Sequence, residues 1–311
     1  YNFIMEIINS IAPVFFLILL GKILDNLNFF PHSFLEELNR FVYYIALPSL
    51  LISSTSTAPF SFSSTSNMVT LFTLGTLGSL TVAWLTSYFL KLPAPKAGSF
   101  IQGSFRGNGI FVGLPIIIYT LGTVAEQDAS IMLAPIVIIF NVVAVAVLIK
   151  CGKLNETKNK PVFYILKSLF KNPMIVSCLI GIFLNIVNFK IPSMIYRPMD
   201  ILGDASLPLI LISIGASLEL KGLKDTAAPT IIGSIFKVVL TPVCGLLLMN
   251  FFELTEMQKM ITIIFLGVPT AGTSYVLAEE LGCDGPLSAR IVALSTLLSA
   301  LTLPWLISLN L

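Results

Sequence analysis

Charge is what this sequence has least of. Only 11% of its 311 residues are Asp, Glu, Lys or Arg, against about a quarter in a soluble domain. That excludes a water-facing globular surface. No hydrophilic stretch is long enough to form a separate soluble domain. There is one histidine, His32, and the four cysteines (Cys151, Cys178, Cys244 and Cys283) form no CxxC pair. Neither a zinc set nor a disulfide framework is expected, and no cofactor is implied. A net charge of +2 without a basic cluster beyond one loop gives no reason to invoke nucleic acid. The equipment of an intramembrane protease is missing too. His32 has no nucleophile motif to serve, and Asp204, although it follows Gly203, lacks a second membrane aspartate. No enzyme activity is expected.

What the chain has in quantity is apolar sequence, with 56% hydrophobic residues and a mean hydropathy of +0.93. A hydrocarbon core of about 30 Å needs roughly 20 such residues per helix. Ten runs meet that need: 5–24, 36–54, 67–90, 98–120, 128–150, 168–188, 196–218, 227–249, 258–279 and 286–308. The expected fold is an all-α polytopic membrane protein of ten transmembrane helices. The first run lacks the basic lead and small-residue cleavage pattern of a signal peptide and is expected to be retained.

Orientation follows from lysine and arginine near the span ends. With the N-terminus outside, twelve fall on the cytoplasmic side (Lys22, Lys91, Lys96, Lys150, Lys153, Lys158, Lys160, Lys167, Lys171, Lys221, Lys224 and Arg290). Three fall outside (Lys190, Arg197 and Lys259). A multi-pass plasma-membrane protein with both termini outside is therefore expected. The sequon Asn155-Glu156-Thr157 then faces the cytoplasm, where it has no meaning.

Several segments recur. PVFFLILLG at 13–21 and PMIVSCLIG at 173–181 share an offset of 160, as do ALPSLLIS at 46–53 and SLPLILIS at 206–213. IFVGLP at 110–115 matches IFLGVP at 264–269. Two five-span halves are implied, 1–150 and 166–311, joined by a short Lys-rich linker at 151–165. Five is odd, so the second half enters the membrane inverted. Gly and Pro inside matched apolar spans predict interrupted helices, with breaks at Pro115 and Pro269 and free N–H donors near Gly113 to Ile117 and Gly267 to Thr273. Such interruptions in both halves of a membrane protein point to a binding site near the midplane.

The runs SFRGNGIFVGLP at 104–115, NRFVYYIALPSLL at 39–51, KNPMIVSCLIG at 171–181, DASLPLILISIGASL at 204–218 and GVPTAGTSYVLAEELGCD at 267–284 resemble the auxin efflux carrier family. That family includes the plant PIN auxin exporters and bacterial carriers of small organic acids such as malonate and malate. The resemblance runs from end to end, but the long hydrophilic middle loop of the larger plant members is missing, so the chain is similar to a bacterial-type member. It implies a scaffold of helices 1, 2, 6 and 7 and a mobile unit of helices 3–5 and 8–10 in which broken helices 4 and 9 cross. It also implies a homodimer through the scaffold and elevator-type transport. The expected function is secondary transport of a small organic anion, a mono- or dicarboxylate. A receptor or channel using the same broken-helix cavity is the alternative.

The candidate substrate residues follow. Helix restarts offer unpaired N–H groups and a positive dipole end to a carboxylate, and Gly109, Gly113, Pro115 and Pro269 shape them. Asn108 matches the asparagine of the family's fourth-span motif and is expected to contact substrate. Thr270, Thr273 and Ser274 offer hydroxyl donors. Arg106 would grip a carboxylate through two parallel donors, since a charge at mid-bilayer is costly and marks function by default; the other reading is a side chain snorkelling to the interface. Asn141 is expected to face the site. Lys237, Asp204 and Glu280 are candidates for coupling or support. Whether a proton or sodium ion drives the cycle is left open.

Overall fold

Residues 2–58, 62–153, 171–218 and 228–309 are described by the computed structural model, and they are almost entirely helical. The linker beyond Lys153, the sequon, Lys158, Lys160, Lys167, Lys221 and Lys224 lie outside the described residues.

In chain order the helices are α1 (Asn2–Asn26), α2 (His32–Phe41), α3 (Leu47–Thr57), α4 (Phe62–Phe89), α5 (Ala94–Phe105), α6 (Leu114–Leu121) and α7 (Thr123–Cys151). They continue with α8 (Pro173–Ile186), α9 (Ser193–Ala216), α10 (Ala228–Ile235), α11 (Thr241–Leu248), α12 (Glu256–Gly267), α13 (Ser274–Glu280) and α14 (Gly285–Ile307). Among the described residues, five stretches are long and apolar enough to cross a bilayer: Ser63–Phe89, Thr123–Cys151, Ser193–Ala216, Ala228–Phe251 and Gly285–Ile307. Gly109–Leu121 and Pro173–Ile186 are apolar but shorter. The full-length spans expected over 98–120 and 258–279 are each cut in two, and the run at 36–54 is divided by a π turn, so these three do not appear as long uninterrupted α-helices.

Three prolines explain a recurring irregularity. Proline has no N–H and clashes with the carbonyl four residues back, and a π-helical turn relieves both problems by widening the helix locally. Such turns occupy Val42–Ala46, Gly109–Gly113 and Phe236–Leu240. Each runs directly into a helix with proline in its first two positions: Pro48, Pro115 and Pro242. Helical backbone therefore passes through Pro115 without a break. The interruption expected there lies upstream, at Arg106–Asn108.

The chain divides into two compact units. The first comprises Tyr1–Thr65, Ile110–Pro135 and Phe170–Leu218. In it α1 and α9 meet backbone to backbone: a Cβ added at Gly21 would strike the Ile212 carbonyl, and one at Gly215 the Ile18 carbonyl. Small residues give this close approach between membrane helices. Gly181 of α8 and Gly203 of α9 pack in the same way against Thr55 and Leu50 of α3. The end of α3 is closed by Asn185, whose Nδ2 donates to the carbonyls of Thr55, Ser56 and Ala58.

The second unit comprises Ser66–Gly109, Ile136–Leu169 and Glu219–Leu311. Its core includes Phe72 and Phe105, both packed on Phe140 of α7 at centroid distances of 5.2 and 6.3 Å. Gly103 of α5 and Gly233 of α10 both close on Ile291 of α14.

Candidate functional site: a crossing of two interrupted helices

The site is built from the two interruptions of the second unit. Residues ahead of proline are driven to extended backbone, and Val268, ahead of Pro269, has φ −60° and ψ 153°, which ends α12 at Gly267. Arg106 ends α5 with φ −75° and ψ 97°. No proline follows it; Gly107 and Gly109 supply the freedom instead.

An extended segment in a membrane must find partners for its backbone groups, and each interruption supplies them to the other. Gly107 pairs antiparallel with Thr270. The Asn108 N–H donates to the Pro269 carbonyl at 2.8 Å, and the Ala271 N–H donates to the Arg106 carbonyl at 3.0 Å. Gly107 is tightly enclosed: a Cβ there would lie 2.9 Å from Val268 Cγ2 and 3.0 Å from Lys237 Cε.

Side chains satisfy the carbonyls left over at the two helix ends. Thr270 Oγ1 donates to the Gly103 carbonyl at 2.7 Å. Thr241 Oγ1 donates to the Ser104 carbonyl at 3.0 Å, and Ser79 Oγ approaches the same oxygen at 3.3 Å. At the end of α12, Lys237 Nζ donates to the Leu266 carbonyl at 2.5 Å. The Thr270 N–H donates to Ser295 Oγ at 3.0 Å.

Arg106 does not snorkel. It is 9% exposed, and its guanidinium reaches Ser274 Oγ at 3.3 Å and Asn141 Oδ1 at 3.4 Å. Asn141 in turn donates through Nδ2 to the Val137 carbonyl at 2.9 Å, which turns its oxygen toward the arginine. Asn108 and Asn141 are each 8% exposed. The structure thus brings Arg106, Asn108, Asn141, Pro269, Thr270, Ser274 and Lys237 to one crossing, with Gly109 packed beside it against Phe265 and Ile136. Thr273 is exposed at the foot of α13, and Glu280 ends that helix, also exposed.

Other expectations are corrected. Gly113 and Pro115 belong to continuous helix in the first unit and are buried. Their N–H groups are not the freed donors, because the π turn carries the helix through. Pro269 lies in the extended link rather than at the first position of a restarted helix, which begins at Ser274. Asp204, a candidate for coupling or support, stands midway along α9, exposed, in the first unit and away from the crossing's own segments. Ser79, Thr241 and Ser295 escaped the sequence reading. Their only signal was a hydroxyl inside an apolar span, which more often bonds back to its own helix.

A separate open pocket of about 550 Å³ is lined by Pro95, Lys153, Glu279 and residues 282–286. It contains none of the expected substrate residues. Cys283 on its wall is pushed up to about 12 by burial, with smaller contributions from Cys151 and Asp284, so its thiol stays protonated and unreactive at neutral pH.

Apolar helices, and a charge buried where two interrupted helices exchange backbone bonds, define a multi-pass membrane protein of the transporter class. Residues 6–307 match the family described as membrane transport protein, that of the PIN-like auxin efflux carriers, and the chain belongs to it. It is similar to an uncharacterized transporter of Methanocaldococcus jannaschii, 27% identical over 93% of this chain and 94% of the relative. It is also similar to a protein named as a putative malonate transporter of Rhizobium meliloti, 26% identical over 97% and 95%. An uncharacterized transporter of Methanothermobacter thermautotrophicus is 25% identical over 95% of each. The family is one of transporters, not enzymes.

Proposed function

We propose that this protein is a secondary transporter of a small organic anion, a mono- or dicarboxylate, bound at the crossing of the two interrupted helices. The observation that carries this is Arg106: a guanidinium buried at that crossing and held by two neutral side chains, Ser274 and Asn141. A planar fork of donors suits a carboxylate, and a charge kept within a membrane protein at this cost marks a substrate or ion path. Asn108 and Thr273 stand on the same two segments and would complete the polar lining, while the Thr270 hydroxyl braces the Gly103 carbonyl. The relative named for malonate supports the substrate class.

The architecture in this reading is ten spans in two inverted five-helix halves, 1–150 and 166–311, with the linker 151–165 between them. Helices 1, 2, 6 and 7 form a scaffold through which two copies pair, while the group bearing the crossing shifts to alternate access. The grouping of Tyr1–Thr65 with Phe170–Leu218 in one compact unit, to which Ile110–Pro135 also belongs, supports the scaffold, and the exchange of backbone bonds supports the crossing.

Counterflow tests the function. Proteoliposomes loaded with unlabelled malonate should accumulate external radiolabelled malonate above equilibrium, and a panel of mono- and dicarboxylates should compete in order of fit. Equilibration without overshoot would mean a channel, and binding without flux a receptor.

A further inference from the structure

We propose that the first halves of α5, α10 and α14 enclose a binding site for internal water, held by the hydroxyls of Ser99, Thr230 and Ser288.

The three helices run side by side in the same direction. At the head of α14 the Asp284 N–H donates to the Pro95 carbonyl at the head of α5, at 3.2 Å. Further along, the Ile291 side chain lies against Gly103 of α5 and Gly233 of α10 alike, with Cδ1 3.0 Å from a Cβ placed at either. Ser234, next to Gly233, donates to the Ile291 carbonyl at 3.3 Å. Beyond that level α5 and α14 both meet the crossing, through Arg106 and through Ser295, which accepts from the Thr270 N–H.

Residues three and four apart share a helix face. The positions one turn before Gly103, Gly233 and Ile291 therefore fall on the same three faces and at one level, and they are Ser99, Thr230 and Ser288. Each is 0% exposed, and none of the three hydroxyls has a hydrogen-bond partner among the described residues. Burying a hydroxyl bare is costly. The same helices show the ordinary way out, a bond back to the helix's own backbone: Ser104 donates to the Phe100 carbonyl, Ser234 to that of Thr230 and Thr296 to that of Val292. Three hydroxyls that do not take it, buried at one level on three helices, point to a guest they share.

The chemistry selects water. Each hydroxyl both donates and accepts, as water does, and a buried water takes about three such partners. A metal cation uses acceptors alone and calls for a balancing charge, whereas α5, α10 and α14 contain no aspartate or glutamate. Water at this level ties together helices that lead into the crossing, with Gly103, Gly233 and Ile291 as the packed layer between.

Melting of the purified full-length protein tests this with neither substrate nor flux. Thr230→Val keeps the side-chain shape and Ser288→Ala trims a single atom, so both variants should fold. Each should melt roughly 2–4 °C lower than the wild type, the scale of one lost hydrogen bond in a large domain. The double variant should fall by clearly less than the sum of the two, because hydroxyls on separate helices couple only through the water they share. Ser99→Ala combined with Thr230→Val should couple in the same way. The wild type should melt at one temperature in sodium chloride and in choline chloride of equal ionic strength. Single variants that melt at or above the wild-type temperature would mean that the hydroxyls are dry, since removing a bare buried group relieves its cost, and would overturn the proposal. Strictly additive losses would overturn it as well. Saturable stabilisation by sodium that is lost in Thr230→Val would make the guest a cation, which is the third way for it to fail.

Discussion

Pro115 and Pro269 end two hexapeptides that read almost alike, IFVGLP and IFLGVP, yet the backbone treats them in opposite ways. Pro115 follows a π turn inside continuous helix. Pro269 sits in an extended link that exchanges hydrogen bonds with Arg106–Asn108. What differs is the supply of partners. Opening a helix in a membrane leaves backbone groups bare, and the chain opens only where another open segment can take them up. At Pro115 no such segment is needed, because a widened turn accommodates the ring. The proline makes an irregularity necessary, and the surroundings decide which one.

The comparison can be broken most directly at Gly107. Gly107→Val would push a branched side chain into Val268 and Lys237, so the melting temperature should fall with a loss of about 1–3 kcal/mol, the usual cost of overpacking. A wild-type melting curve would show that the two links are not closely paired.

Next comes the proline pair itself. Pro269→Ala frees Val268 to return to helix and should cut initial counterflow rates by roughly tenfold, about 1.4 kcal/mol. Pro115→Ala should change them by less than about twofold. Equal losses would mean that both prolines act as breaks.

Arg106→Gln keeps a polar side chain but removes the fork and the charge. Binding of dicarboxylates, measured by competition, should weaken more than that of monocarboxylates. Uniform weakening would make Arg106 a brace for Ser274 and Asn141 instead of a ligand for substrate.

Asn108→Ala leaves the Asn108 backbone bond to Pro269 in place, so the protein should still fold while affinity drops by about 1 kcal/mol, the value of one hydrogen bond. Affinity at the parental level would remove Asn108 from the site.

The smallest expected effect is that of Thr270→Val. It strips one donor from the Gly103 carbonyl and should lower stability by about 1 kcal/mol with little change in substrate preference. A shift in preference would show that this hydroxyl faces the solute.

Much of this was legible in the residues. Apolar runs located the helices because a bilayer admits few alternatives, and Arg106, Asn108 and Asn141 stood out because polar groups in such runs are costly. The end of α12 was legible as well, since Pro269 forces Val268 out of helix by local sterics alone. The interruption at Arg106 was misplaced by several residues because no proline marks it. Glycines permit an extended segment there without requiring one. Ser79, Thr241 and Ser295 could not be picked out, because a hydroxyl's partner is set by which helix packs against it.

The sequence by itself determined that this is an all-α membrane protein and that charged and amide groups lie inside its apolar runs. Those properties follow from the free energy of each segment in lipid. Only the tertiary structure decided which irregular segments pair, that Arg106 turns to Ser274 and Asn141, and that Lys237 closes the end of α12. Each of those bonds joins residues far apart in the chain, and their energies exist only once the helices have packed.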